Sequence, residues 1–143
     1  MLFNNENLGQ RANVDGNLVP KRYVISVPLT AATTSVPVFI ADDDYIVEGI
    51  TATFGTASTS GTLQLEKCTG TTALASGTNL LTGTISLSGT ANTPVSGTLL
   101  SNPVTISLAS GNRLNIIIAG TMTNLATANI TIRLKRALTG VTS

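Results

Sequence analysis

From Asn129 to Lys135 the chain reads NITIRLK, with polar and apolar residues in strict alternation. Ile130, Ile132 and Leu134 fall on one side, and Thr131, Arg133 and Lys135 on the other. Side chains of an extended chain point to opposite faces with a period of two, so this pattern is a strand with one face buried and one wet. The same period returns in short runs from Lys21 onward, and no run of twelve residues keeps the 3.6-residue apolar spacing of a helix. A chain patterned in this way buries its apolar faces by stacking one antiparallel sheet on another.

The other runs are Tyr23–Leu29, Ser35–Ile40, Tyr45–Gly55, Thr62–Cys68, Leu80–Leu87, Val95–Leu100, Val104–Leu108 and Leu114–Ala119. In the first, Tyr23, Ile25, Val27 and Leu29 alternate with Val24, Ser26 and Pro28. The proline cannot donate to a ladder and marks an edge strand. In Tyr45–Gly55, Ile46, Ile50, Ala52 and Phe54 are expected on the core side, with Thr51 and Thr53 opposite. In Thr62–Cys68, Leu63 and Leu65 are expected to point in, and Gln64 and Glu66 out. Gly, Ser, Asn and Pro clusters separate the runs at intervals of about 8–14 residues.

The expected fold class is therefore all-β: a single antiparallel β-sandwich of about eight strands, jelly-roll-like. Ser-Gly-Thr recurs at Ser60, Ser76, Ser88 and Ser96, but its spacing shrinks from 16 to 12 to 8. That is turn chemistry without a fixed repeat, and a β-helix is the lesser alternative. Only 10% of residues are charged, against about 25% in a typical soluble domain. The Thr, Ser and Gly that take their place favour strands and turns over helices. At 143 residues the chain can build one core without disulfide or metal. Its expected organisation is an extended N-terminal arm over 1–20, a sandwich domain over 21–138 and a C-terminal tail over 139–143.

The residue inventory argues against most chemistry. There is no His, which removes the commonest general base and the commonest zinc ligand together. Cys68 stands alone, so it can form neither an internal disulfide nor a Cys-based zinc site. No G-x-S-x-G elbow and no phosphate-binding glycine loop occurs. Glu48 and Glu66 lie in strands and could face one cleft, but aromatic residues amount to 3%, too few for a floor on which a sugar ring stacks. The chain is expected not to be an enzyme, with no catalytic, cofactor-binding or metal-ligating residues. A net charge of +1 supplies no field for nucleic acid or anionic lipid. Leu114–Ala119, the longest apolar run, is far too short to span a bilayer. Residues 1–20 lack the basic start and apolar core of a secretory signal, so synthesis in a cytoplasm without a cleaved leader is expected. Nucleic acid, membranes and small-molecule substrates are not expected partners.

Three features are candidates for contact with another protein. Asp42, Asp43 and Asp44 form the one acidic cluster, read as a solvated turn, with a metal site or an intermolecular salt bridge as the alternative; a calcium loop would space its acids at alternate positions. Lys21 and Arg22 open the first strand, while Arg133, Lys135 and Arg136 close the last. In a sandwich these ends can be neighbours, forming a basic patch that either protects an edge or docks on an acidic neighbour. Residues 1–20 are rich in Asn and Gln, carry Leu2, Phe3, Leu8 and Arg11, and are too polar to fold alone. They are read as an arm lying along a neighbouring subunit, with a disordered tail as the alternative. The expected partner-binding residues are Leu2, Phe3, Leu8, Arg11, Lys21, Arg22, Arg133, Lys135 and Arg136.

The stretches Val36–Ile40 and Tyr45–Gly55, the segments LEKCTGTTALASGTNLL and SLASGNRLNIIIAGT, and the closing TIRLKRAL resemble small β-sandwich virion proteins of tailed bacteriophages. The resemblance covers roughly residues 23–138 and is strongest to capsid decoration, or cement, proteins. It implies a virion location, favouring the capsid surface, and a homo-oligomer, with a trimer favoured. It also implies attachment to the major capsid protein or other virion subunits, with no catalytic residues to carry over. Tail, fibre and head–tail joining components share this composition and are the alternative. A cellular surface adhesin or carbohydrate-binding module is the second alternative, which an exposed aromatic cleft would favour. Low charge suits assembly on its own grounds, because a hydroxyl is cheaper to bury than an ion and interface cores are depleted in charge.

Overall fold

The computed structural model describes residues 21–137; the expected arm (1–20) and tail (139–143) lie outside the described residues. The strands are β1 (Arg22–Leu29), β2 (Val36–Ile40), β3 (Tyr45–Thr56), β4 (Thr62–Cys68), β5 (Thr78–Asn79), β6 (Ile85–Ser86), β7 (Val95–Ser96), β8 (Ser107–Leu108), β9 (Arg113–Ala119) and β10 (Ala126–Arg136). One sheet runs β1-β10-β3-β7, with β8 also on β3; the other runs β2-β9-β4-β5, with β6 also on β4. All pairs are antiparallel. With β5/β6 and β7/β8 each counted as one interrupted strand, these are the two four-stranded sheets of a jelly roll. Pro28 and Pro37 lie on β1 and β2, the outermost strands of the two sheets, where a missing donor breaks no ladder.

The core lies between the sheets. Ile50, Ala52, Phe54, Ile130, Ile132 and Leu134 from the first sheet face Leu63, Leu65, Leu114 and Ile116 from the second, all at most 1% exposed. A β-bulge sets which residues of β3 join them. Ile132 pairs with Ile50 and Arg133 with Gly49, but Leu134 pairs with Val47, so β3 carries one extra residue at Glu48. The bulge reverses the alternation, so Tyr45 and Val47 point in and Ile46 is only half-buried. Ile46 is thus not the core residue that simple alternation assigns.

Three expected strands shrink to fragments. Leu80–Leu87, Val95–Leu100 and Val104–Leu108 keep only the two-residue pieces β6, β7 and β8, with β5 just before the first. Gly, Ser, Asn and Pro interrupt the pairing, yet Leu80, Leu81, Ile85, Leu87 and Leu108 all remain in the core. Burial there comes from irregular segments that run beside β3 and β4, where the short pieces pair. Gln64 and Glu66 are also corrected: they lie on the outer face of β4, as expected, but are buried at 9% and 1% exposure. The 73–84 excursion covers that face and meets both side chains with hydrogen-bonding groups.

Ile132 is fully buried in the central strand of its sheet. Ile132→Asp is expected to abolish cooperative folding, since an unpaired buried carboxylate has no compensation there. Ile132→Val should cost only about 0.5–1.5 kcal/mol. Thermal melts of the two variants check the pair of outcomes.

Candidate interaction surface

The antiparallel β1–β10 pair brings the two groups of cations together. Arg22 stands opposite Lys135, and the Arg136 N–H donates to the Lys21 carbonyl. The bulge residue Glu48 lies beside them: its carboxylate accepts from Arg22 Nε at 3.0 Å and approaches Lys135 Nζ at 3.8 Å. Arg136 pairs with Asp43. Arg133 donates to Thr51 Oγ1, and its guanidinium lies across Gly49, where any β-carbon would collide with it. Of the five cations, Arg22, Lys135 and Arg136 are therefore partly neutralised within the domain. Exposed pairs of this kind are worth little to stability, so their main effect is to mute the charge of the corner. The signal for Glu48 was present in the sequence, but its place beside the cations depends on the bulge. Leu2, Phe3, Leu8 and Arg11 lie outside the described residues.

The acidic turn is tied to the same end of the domain. Asp42 accepts from the Tyr45 hydroxyl, which pushes that phenol up to about 12, with burial adding to the effect. Asp43 accepts the Asp44 N–H and pairs with Arg136, and together these hold its carboxyl below the usual range. Asp44 accepts the Ser110 N–H. These are acceptor roles that an amide oxygen can fill in part. Among the described residues, no group of three His, Cys, Asp or Glu side chains is placed to hold a metal ion.

Glu48 and Glu66 do not share a cleft. Glu48 sits on β3 in one sheet beside surface cations, whereas Glu66 sits on β4 in the other sheet under the 73–84 excursion. Glu66 has no cation beside it among the described residues. Its carboxylate accepts from Asn115 Nδ2 at 2.7 Å, from the Gly77 N–H at 2.5 Å and from the Ala75 N–H at 3.1 Å. Ala75 holds a positive φ of 70°, a conformation that costs a non-glycine residue energy and here aims its N–H at the carboxylate. Burial alone would push the Glu66 carboxyl up, but the Asn115 amide, the two N–H groups and the Cys68 thiol outweigh it and hold it below its usual value. Burial, with the Glu66 carboxylate beside it, pushes the Cys68 thiol up, away from the reactive thiolate.

Two neighbouring cations do similar work on backbone carbonyls. Lys67 Nζ donates to Val104 O at 3.1 Å and Ser107 O at 2.8 Å, and Arg113 Nη2 to Gly70 O at 3.0 Å and Thr72 O at 2.8 Å. Burial lowers the Lys67 ammonium from its usual value. A hollow of about 320 Å³ opens beside Glu66 between Thr62, Asn79 and Ile117, and one of about 530 Å³ lies between Ala31, Ser35 and Met122. Neither is lined by an aromatic side chain. Tyr45 and Phe54 are buried, and Tyr23 alone of the described aromatics is exposed, at 40%. The aromatic cleft that would favour a sugar-binding module is absent among the described residues.

No family model matches this chain, and no curated protein matches it. Among solved structures it is similar to a chain from the disulfide-linked pili of Bacillus endospore appendages, at 14% identity and a TM-score of 0.41, covering 85% of this chain and 90% of that one. It is also similar to a chain of infectious bursal disease virus, Gx strain, at 15% identity and a TM-score of 0.44, covering 85% of this chain and 33% of that one. A chain of the VP2 subviral particle of that virus gives 16% identity and a TM-score of 0.38, again covering 85% and 33%. This chain thus spans about a third of the viral chains. At these values no activity or partner is transferred.

Two outcomes check this geometry. The native Glu66 carboxyl is held below its unfolded value, so its stabilisation is present above about pH 4.3 and is lost as pH falls through the lower folded value. Glu66→Gln should therefore cost about 1–3 kcal/mol at pH 7, and denaturant titrations should show its gap from the native chain narrowing at pH 3. Second, changing Asp42, Asp43 and Asp44 together to Asn should leave the domain folded, with chelation moving the melting temperature of neither form.

Proposed function

We propose that this chain is a non-enzymatic structural subunit of a bacteriophage virion and, within it, a decoration protein that binds and stabilises the capsid. The observation that carries the reading is the outer face of the β1-β10-β3-β7 sheet. Ser26, Thr131, Thr51 and Ser96 follow one another across four strands in a single row. Asn129 exchanges hydrogen bonds with Ser26, and Thr51 bonds Ser96. A broad face of hydroxyls and amides can be covered by another protein at low desolvation cost. The cations at its upper corner are already partly matched by Glu48 and Asp43, which lowers that cost further.

The major capsid protein and further copies of this chain are the proposed partners, with a trimer favoured. Residues 1–20, with Leu2, Phe3, Leu8 and Arg11, and the corner around Lys21, Arg22, Arg133, Lys135 and Arg136 are the proposed contact groups. The described core is formed between the two sheets by residues of 21–137. Deleting residues 1–20 should therefore leave the melting transition in place while sharply lowering occupancy of particles stripped of the protein. Occupancy is read by quantitative gel analysis of sedimented particles at matched concentration. Equal occupancy by the truncated chain would place the attachment on the sandwich face instead of the arm.

A further inference from the structure

The outermost strands β1 and β2 lie along one flank of the sandwich. Each pairs on one side only among the described residues, β1 with β10 and β2 with β9. The Tyr45 ring touches both strands, with its centroid 5.6 Å from that of Tyr23 on β1 and 5.3 Å from that of Phe39 on β2. Of the six exposed large apolar residues among those described, four are on these strands: Tyr23, Val24, Val36 and Ile40. Each strand carries one proline, Pro28 on β1 and Pro37 on β2, but β1 also has Arg22, whereas β2, VPVFI, has no charge and leaves Ile40 66% exposed. An uncharged apolar edge with unpaired backbone groups is a template for another strand.

We propose that this flank, centred on the outer edge of β2, which is unpaired among the described residues, receives residues 1–20 of a second copy of the chain as a short added strand. The inference rests on the reading of the chain as an assembly subunit and names the neighbour that its arm engages. The segment 1–20 leaves the domain at Lys21, at the head of β1 on this flank. Fully extended, 20 residues reach about 65–70 Å, whereas the 12 residues of β3, the longest strand, span only about 40 Å. Covering the 5 residues of β2 takes a small part of that length. Leu2, Phe3 and Leu8 fall in the half of the segment farther from Lys21, which an extended chain would carry up to about 43–68 Å from that residue. There they match Val36 and Ile40, while the intervening Asn and Gln side chains suit free backbone groups. Pro37 and the register shift between Pro37 and Phe39 keep the added strand short.

Disulfide trapping in full-length chains tests the proposal. One chain carries Phe3→Cys or Leu8→Cys, the other Val36→Cys or Ile40→Cys; the native Cys68 is buried and stays in place. Cross-linking requires α-carbons within about 7 Å. Mild oxidation of the mixture should give a cross-linked pair for at least one combination. A partner carrying Ser86→Cys, exposed on the opposite edge of the same sheet, should give none. Adding Ile40→Lys to the Val36→Cys chain should remove the product; at 66% exposure Ile40 tolerates the change without loss of fold. Equal product with Ser86→Cys, no product in any combination, or product only within a doubly substituted chain regardless of dilution would each overturn the proposal. Particle occupancy of the same variants separates the two readings. Cross-linking without particle binding leaves this inference standing and removes the capsid role; particle binding without cross-linking does the reverse.

Discussion

The register of β10 between β1 and β3 governs the arrangement of the whole domain. A slip by one residue in a strand with period two would exchange its buried and exposed faces completely. Ile130, Ile132 and Leu134 therefore fix the core only if Ile25, Ala52, Ile50 and Val47 meet them in phase. The extra residue at Glu48 keeps that phase over the full length of β3. It turns Val47 inward and leaves Glu48 beside Arg22 and Lys135. Gly49 belongs to the same device, since its missing side chain leaves room for Arg133 to lie across the strand.

Much of this was legible in the sequence. The alternation of β1, β4 and β10, the edge position marked by Pro28 and the lack of helix among the described residues all follow from residues read one at a time. What was not legible is where the alternation fails. Ile46 and Val47 are adjacent apolar residues, and only the partner strand decides which faces in. The stretch from Leu80 to Leu108 has apolar residues at strand-like spacing but too many turn formers to sustain a ladder. There the chain is fastened by side chains that replace ladder bonds. Gln64 Oε1 accepts the Leu81 N–H while its Nε2 donates to Gly83 O, and the Ser58 hydroxyl donates to Leu87 O. A buried Gln or Glu looks in sequence like a solvent-facing residue of a half-exposed strand, because burial depends on a loop arriving from elsewhere.

The cations show the same division. Their meeting at one corner followed from their places at the start of one strand and the end of another, once those strands were neighbours. Their partial neutralisation followed from Glu48 and Asp43, which are brought in by the bulge and by the Asp42–Asp44 turn. Few charges, most of the cations already engaged, leave a surface of hydroxyls, amides and short apolar stretches. Such a surface can be covered by another protein at low desolvation cost.

A density map of purified virions, from the phage proposed to encode this chain, tests the central claim most directly. The expected result is a jelly-roll density on the outside of the shell, with the segment before Lys21 extending from it onto an adjacent subunit. Particles with no such density, from preparations in which the protein is abundant in the infected cell yet absent from the purified virion, would contradict the account.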